Sequence, residues 1–416
     1  MDSVRSFSLQ IGLRAGSCFE TNKTRGYFHF LEHIILNSCQ KYKETEDIHA
    51  RAEDLGVSYN AHVNHLETKF WFTGPEKTIE ETIEFVTNLL RYPLFNEERI
   101  EKTKKIILAE YHEQTANPHY QYSQQWELFF FGKDNPYIYD SLGIFENIQS
   151  ANADSIENIY KNYYQPQNIK ICIAGNFQIT EIRKSIKQGF GEWEGSKEEL
   201  QYKETVHTKN RKKSVLIVEH QQTQMDLTIG FPIPGYLEKD IKQQGIQRLA
   251  SYVLGEGRTS LLNKTIREGK GLSYSIYSDI FRWPYTGICY VYSNLSHQNS
   301  AECIRQIKKV IQTTEEKGID ENHFSRGKNY KNLRRYLNFS SPESISDWII
   351  GSMIEGADIL LPEDYEKISN TVTIDEVNST FKEIFNRKNA VLMMMGDKKI
   401  IKKSGIVEAF KDFRSN

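Results

Sequence analysis

Along residues 7–13 the side chains alternate, with Phe7, Leu9, Ile11 and Leu13 on one side of the run. A period of two predicts a half-buried strand. After Gly26 the period changes. Within "GYFHFLEHIILNS", positions 26–38, the segment after Gly26 carries apolar residues around most of a helical circumference, which predicts a buried helix. "ETEDIHARAEDLG" predicts a short second helix that stops at Gly56. Two strands follow, "VSYNAHVN" and "TKFWFTG". Ile79, Ile83, Val86 and Leu90 then make one stripe of an amphipathic helix. "NEERIEKTKKIILAEYHEQ" reads as a long charged helix with an apolar patch at Ile106, Ile107 and Leu108. "NIKICIAGNF" reads as a buried strand that ends in a glycine turn.

The second half repeats this order. "TKFWFTGPEKTIEETIEFVTNLL" has a counterpart in "TGICYVYSNLSHQNSAECIRQIKKVIQ", and "IKICIAGNF" has one in "AVLMMMGDK". Gly175 and Gly396 stand 221 positions apart, and the other pairs are spaced similarly. A constant offset over several elements predicts an α+β fold of two homologous α/β-sandwich domains. The domains are expected at 1–200 and 214–416. Between them lies a charged, Gly/Ser-containing stretch, "EGSKEELQYKETVHTKNRKKS" (194–214), within which 201–213 is the expected linker.

Composition narrows the function. At 416 residues the chain exceeds the size at which one core keeps growing, so two domains are expected from length as well. A net charge of -2 gives no electrostatic case for nucleic acid or an anionic membrane surface. No stretch approaches the ~20 apolar residues of a membrane span. The start, "MDSVRSFSLQIGL", does not read as a signal peptide, and a cytoplasmic protein is expected. Five scattered cysteines make neither a disulfide framework nor a CxxC metal site.

The candidate chemistry lies in the first helix, where His29, Glu32 and His33 are spaced H-x-x-E-H. Positions i and i+4 share a helix face, so His29 and His33 can bind one metal ion together. Glu32 can then take a proton from a water that the metal polarises. Two hydrogen-bonded histidines in a helix account for the same five residues, and the motif alone leaves both readings open. A zinc site with two histidines needs a third protein ligand and an open fourth position. The helix after residue 96 offers Glu110 and Glu113, one turn apart, with His112 on another face. A solvated helix surface explains these glutamates equally well.

Over nearly the whole chain the sequence resembles the insulinase/pitrilysin (M16) family of zinc metallopeptidases, in its half-length, mitochondrial-processing-peptidase-like type. The family pattern is H-x-x-E-H, then 76 residues, then Glu; counted from His33 it lands on Glu110. The resemblance implies one zinc ion per chain on His29, His33 and Glu110, with Glu32 as general base. The family usually carries another glutamate seven residues before the third ligand, supporting a histidine from behind. Here Thr103 stands there, which implies altered zinc affinity.

"LGVSYNAHVNHLETKFWF" resembles the family's edge strand, whose backbone pairs with extended substrate; Asn60 and Ala61 carry this over. His62 and His65 read as polar groups facing a wet cleft. "LGEGRTSLLNKTIREGKGLSYSIYS" resembles the family's R-x6-Y segment, and Arg267 and Tyr274 match it. These two would hold the scissile carbonyl and stabilise its developing oxyanion. The second-half counterpart of the motif helix, "GIQRLASYVLG", has no histidine. The family usually begins with a further strand, so one sheet edge is expected to be shorter here. The half-length type implies a clamshell, either a homodimer or a heterodimer with a related chain. It would admit peptides, including the leader of a peptide precursor. A non-catalytic subunit of such a complex is the competing reading.

Overall fold

The structure is a computed structural model that describes residues 4–195, 199–205 and 213–415. Residues 206–212 of the expected linker lie outside the described residues. The chain forms two compact units. Unit 1 combines Met1–Asn117, Pro136–Tyr202 and Tyr336–Ile359; unit 2 combines Pro118–Asn135, Lys203–Arg335 and Leu360–Asn416.

Unit 1 contains a four-stranded antiparallel sheet of β1 (Ser6–Leu13), β2 (Ser58–Val63), β3 (Thr68–Pro75) and β4 (Ile169–Gly175). The order is β2-β3-β1-β4, so β2 is an edge strand. The motif helix α1 (Tyr27–Asn37) packs beside β2 and against α2 (Thr45–Leu55), α3 (Ile79–Arg91) and α4 (Glu97–Ala116). Unit 2 contains β5 (Val215–Glu219), β6 (Gln224–Ile233), β7 (Ser275–Arg282), β8 (Gly287–Ser296) and β9 (Val391–Gly396), ordered β5-β9-β6-β8-β7. β5 runs parallel to β9, and the other pairs are antiparallel. The duplicated fold expected from the sequence is therefore present, with a shorter first sheet.

The units trade helices. Helix α5 (Pro118–Phe131), from the first half of the chain, belongs to unit 2 and packs on β5 and β9. Helix Pro342–Glu355, from the second half, belongs to unit 1 and packs on β1 and β4. This overturns the half-buried reading of β1. Phe7, Leu9, Ile11 and Leu13 face the core as expected, but Ser8 and Gln10 are buried as well. The helix covers them. Ser346 Oγ donates to Ser8 Oγ (2.8 Å), and Gln10 Nε2 donates to the Glu343 carbonyl (3.4 Å). Buried polar groups require such partners.

The apolar patch on α4 is also narrower than expected. Ile107 is buried, whereas Ile106 is exposed. The buried stripe is Ile100, Thr103 and Ile107, at helical spacings of three and four.

Candidate metal centre

Helix α1 begins at Gly26 and has no side-chain cap of its own. A buried carboxylate takes that role from outside the helix. The backbone N–H groups of Gly26 and Phe28 donate to Glu20 Oε2 (2.9 Å) and Oε1 (3.0 Å). A carboxyl group at a helix N-terminus satisfies orphan donors. Burial is nonetheless the larger effect and raises the Glu20 pKa to about 8. No periodicity marked Glu20 in the sequence, because it acts on the helix from a loop.

With its start fixed, α1 presents His29, Glu32 and His33 to one side. His29 Nε2 and His33 Nε2 lie 3.2 Å apart. Glu110 Oε2 is 3.6 Å from His29 Nε2 and 3.4 Å from His33 Nε2. Two ligands at ~2.0–2.1 Å from a tetrahedral zinc ion are separated by about 3.3–3.4 Å. The three observed edges match that triangle, so these side chains fit the ion. Glu32 Oε2 is 3.9 Å from His29 Nε2 and also belongs to the cluster, but Glu110 makes the tighter triangle. Glu110 stands one step beyond the buried stripe Ile100–Thr103–Ile107. That continuation is the signal that separates it from Glu113, which is exposed.

The electrostatics follow from burial. The His29 pKa falls to about 4, because burial and the neighbouring His33 disfavour its charge. Burial raises the Glu32 carboxyl. Burial would lower His33 too, but its hydrogen bond to Glu110 and the charges of Glu32 and Glu110 outweigh it, and its pKa rises. The bond from His33 lowers Glu110. Two neutral-capable imidazoles beside an ionised carboxylate make a donor set suited to a divalent cation.

Ligating histidines usually donate their second ring nitrogen to a partner. His29 Nδ1 is buried and has no hydrogen-bond partner among the described residues. Thr103 is buried on α4, two turns before Glu110.

Other candidate residues lie around this centre or apart from it. Asn60 and Ala61 sit on edge strand β2, and the Ala61 N–H donates to Asn60 Oδ1 (2.8 Å). His62 Nε2 lies 3.6 Å from Glu67 and its ring packs on Trp71, while His65 interacts with Asp140. His62 and His65 lie outside the triangle of ligand atoms; the charge of His62 still favours the ionised form of Glu32. Arg267 and Tyr274 belong to unit 2, where Arg267 is exposed near the end of a π-helical stretch. Tyr274 directly precedes β7 and is 77% exposed.

Two family profiles match the chain. The insulinase (peptidase family M16) profile covers residues 2–127, which contain all four residues of the cluster. The M16 inactive-domain profile covers 150–331. The chain belongs to the M16 peptidase family. Among its relatives, a Rickettsia bellii protein described as an uncharacterized zinc protease is 24% identical over 86% of this chain and 89% of its own length. The fold is shared with a protease from Helicobacter pylori (TM-score 0.81, 16% identity, 94% of each chain). It also matches the periplasmic protease PqqL of Escherichia coli (TM-score 0.83, 14% identity), covering 99% of this chain and 48% of that one. The M16 profiles thus divide as the side chains do, with the histidines in one half only. Among the described residues no helix is long and apolar enough to cross a membrane.

Proposed function

We propose that this M16 chain is a zinc-dependent endopeptidase that hydrolyses extended peptides. The observation that carries the reading is the triangle of His29, His33 and Glu110, with edges of 3.2, 3.4 and 3.6 Å, beside the buried carboxylate of Glu32. Zinc, when bound there, supplies a Lewis acid that polarises water and the scissile carbonyl. Glu32 accepts the proton of the attacking water and delivers it to the leaving amine. Its burial suits this task, because a raised carboxyl pKa brings proton affinity nearer to neutral pH. Edge strand β2 aligns the peptide by backbone pairing, with a substrate carbonyl replacing Asn60 Oδ1 on the Ala61 N–H. Arg267 and Tyr274 bind the scissile carbonyl and its oxyanion in a clamshell of two chains, each completing the other's centre. Leader removal from a peptide precursor is the use this arrangement suits.

Cleavage of a mixed peptide panel, read by mass spectrometry beside Glu32→Gln, tests the chemistry. The wild type is expected to cut, and Glu32→Gln to lose activity by about 10²–10⁴-fold with zinc retained. Equal cutting by both would remove Glu32 from the mechanism. If neither cuts, a partner chain or a single cognate peptide is missing, or the chain is a non-catalytic subunit. Where the wild type cuts, mixing Glu32→Gln with Tyr274→Phe tests the clamshell. Two inactive variants regain activity together only if Tyr274 serves the partner's centre.

A further inference from the structure

Unit 2 holds a small cavity that the proposed peptidase reaction does not use. Three mutually packed helices wall it: Ile241–Ser251, Glu321–Arg335 and Pro362–Asn370. The floor is apolar, with Leu249 and Val372 buried. The rim is basic, formed by Lys242, Arg248, Lys328, Lys331 and Arg335. Lys328, Lys331 and Arg335 are three and four residues apart, so one helix face turns toward the opening. The cavity measures ≈ 40 Å³. A water needs roughly 10–15 Å³ on that measure, so the space suits a compact group of a few atoms.

Only two of the five cations are neutralised by carboxylates. Lys242 pairs with Glu376 (2.6 Å), and Lys331 pairs with Glu256. Among the described residues, Arg248, Lys328 and Arg335 have no acidic partner. Arg335 is instead held in place by stacking on Tyr365 (4.4 Å) and by donating to Asn332 Oδ1 (3.3 Å). Lys328 lies 5.6 Å from the centre of the Phe324 ring. Burial and the charge of Arg248 lower the Arg335 pKa, which records the mutual repulsion. A solvated surface spreads its like charges apart, whereas here cations from two helices converge on one opening.

Gly245 also borders the opening. It lies inside helix Ile241–Ser251 and lines the cavity. A Cβ built there meets no atom within 4 Å. Glycine inside a helix costs about 1 kcal/mol relative to alanine, and no neighbour requires it here. Its missing side chain leaves the opening clear.

We propose that this cavity binds a phosphoryl group, held by Arg248, Lys328 and Arg335. One carboxylate would balance only one of the three cations. A phosphate monoester carries about −1.5 to −2 charges and three acceptor oxygens, which match a guanidinium fork and a lysine together. The phosphoryl group belongs to free phosphate or to a nucleotide.

Isothermal titration calorimetry of the full chain at fixed, physiological ionic strength tests this. Inorganic phosphate and a nucleoside monophosphate are both expected to bind. Equal affinities assign the site to the phosphoryl group alone, and tighter nucleotide binding adds a contact to the nucleoside. Arg248→Gln and Lys328→Gln should each weaken binding about tenfold. Lys309→Gln, exposed on another helix, should leave it unchanged. Gly245→Leu should abolish binding while raising Tm, which separates blocking from misfolding. The proposal is overturned if neither phosphate compound binds, if Arg248→Gln binds as the wild type does, or if a glutamate-rich peptide binds more tightly than phosphate.

Discussion

The two sheets share a plan and differ in what they carry. The order β2-β3-β1-β4 in unit 1 is matched by β7-β8-β6-β9 in unit 2, which adds β5 at its edge. Each central strand carries Ile-Gly at the same place, Ile11–Gly12 in β1 and Ile229–Gly230 in β6. In both, the glycine admits a helix traded from the other half of the chain. A Cβ at Gly12 would overlap Ile354, and one at Gly230 would overlap Phe130 and Ile288. Each sheet also has a helix beside its edge strand, α1 next to β2 and Ile241–Ser251 next to β7. Here the likeness ends. α1 buries Glu32 and holds two histidines, whereas the second helix buries Gln247, which accepts a hydrogen bond from Arg282. The architecture is set by packing positions common to both halves. The proposed chemistry depends on a few side chains that one half has and the other lacks.

The largest effect expected from this contrast is on metal binding. His33→Ala should cut zinc affinity by at least 10²-fold and abolish hydrolysis, because it removes a ligand outright. Gln247→Ala should change neither, as zinc content and peptide assays of both variants will show. A null effect of His33→Ala on zinc content would mean that the metal sits elsewhere.

The traded helices come next. Gly230→Ala should destabilise unit 2 by about 1–3 kcal/mol, since Phe130 and Ile288 must both move. Gly12→Ala should cost less, because the overlap is with the flexible end of Ile354. Ile354→Ala should relieve Gly12→Ala in a double-mutant cycle, and additive effects would contradict the close approach.

Glu20 gives unit 1 its own pH dependence. Its folded pKa is about 8 against 4.5 for the free side chain, so between these values the folded state binds the extra proton. Stability should therefore fall as pH rises across that window, with a slope of at most ~1.4 kcal/mol per pH unit, and be flat in this respect outside it. Denaturant titrations from pH 4 to pH 9 should show this slope in the wild type and lose it in Glu20→Gln.

The smallest effect concerns the buried, unpartnered Nδ1 of His29. Thr103→Glu should supply the missing acceptor and tighten zinc about tenfold in a chelator competition. Unchanged affinity would show that Thr103 does not face that nitrogen.

Much of the molecule was legible in the chain. The alternation of residues 7–13, the stripe of α3 and the offset between Gly175 and Gly396 correspond to the strands and helices observed. H-x-x-E-H placed two histidines and a glutamate together on its helix, as the structure does. These signals are local, because a residue's period is set by neighbours a few positions away. Two features could not be read this way. Glu20 caps α1 from a loop, and Ser346 covers Ser8 from 338 positions along the chain. The sequence by itself determined which segments form strands and helices, that they occur twice, and that the first half alone has the H-x-x-E-H pair of histidines. Tertiary structure decided which helix covers which sheet and which carboxyl group caps α1, because those contacts join residues whose separation leaves no periodic trace.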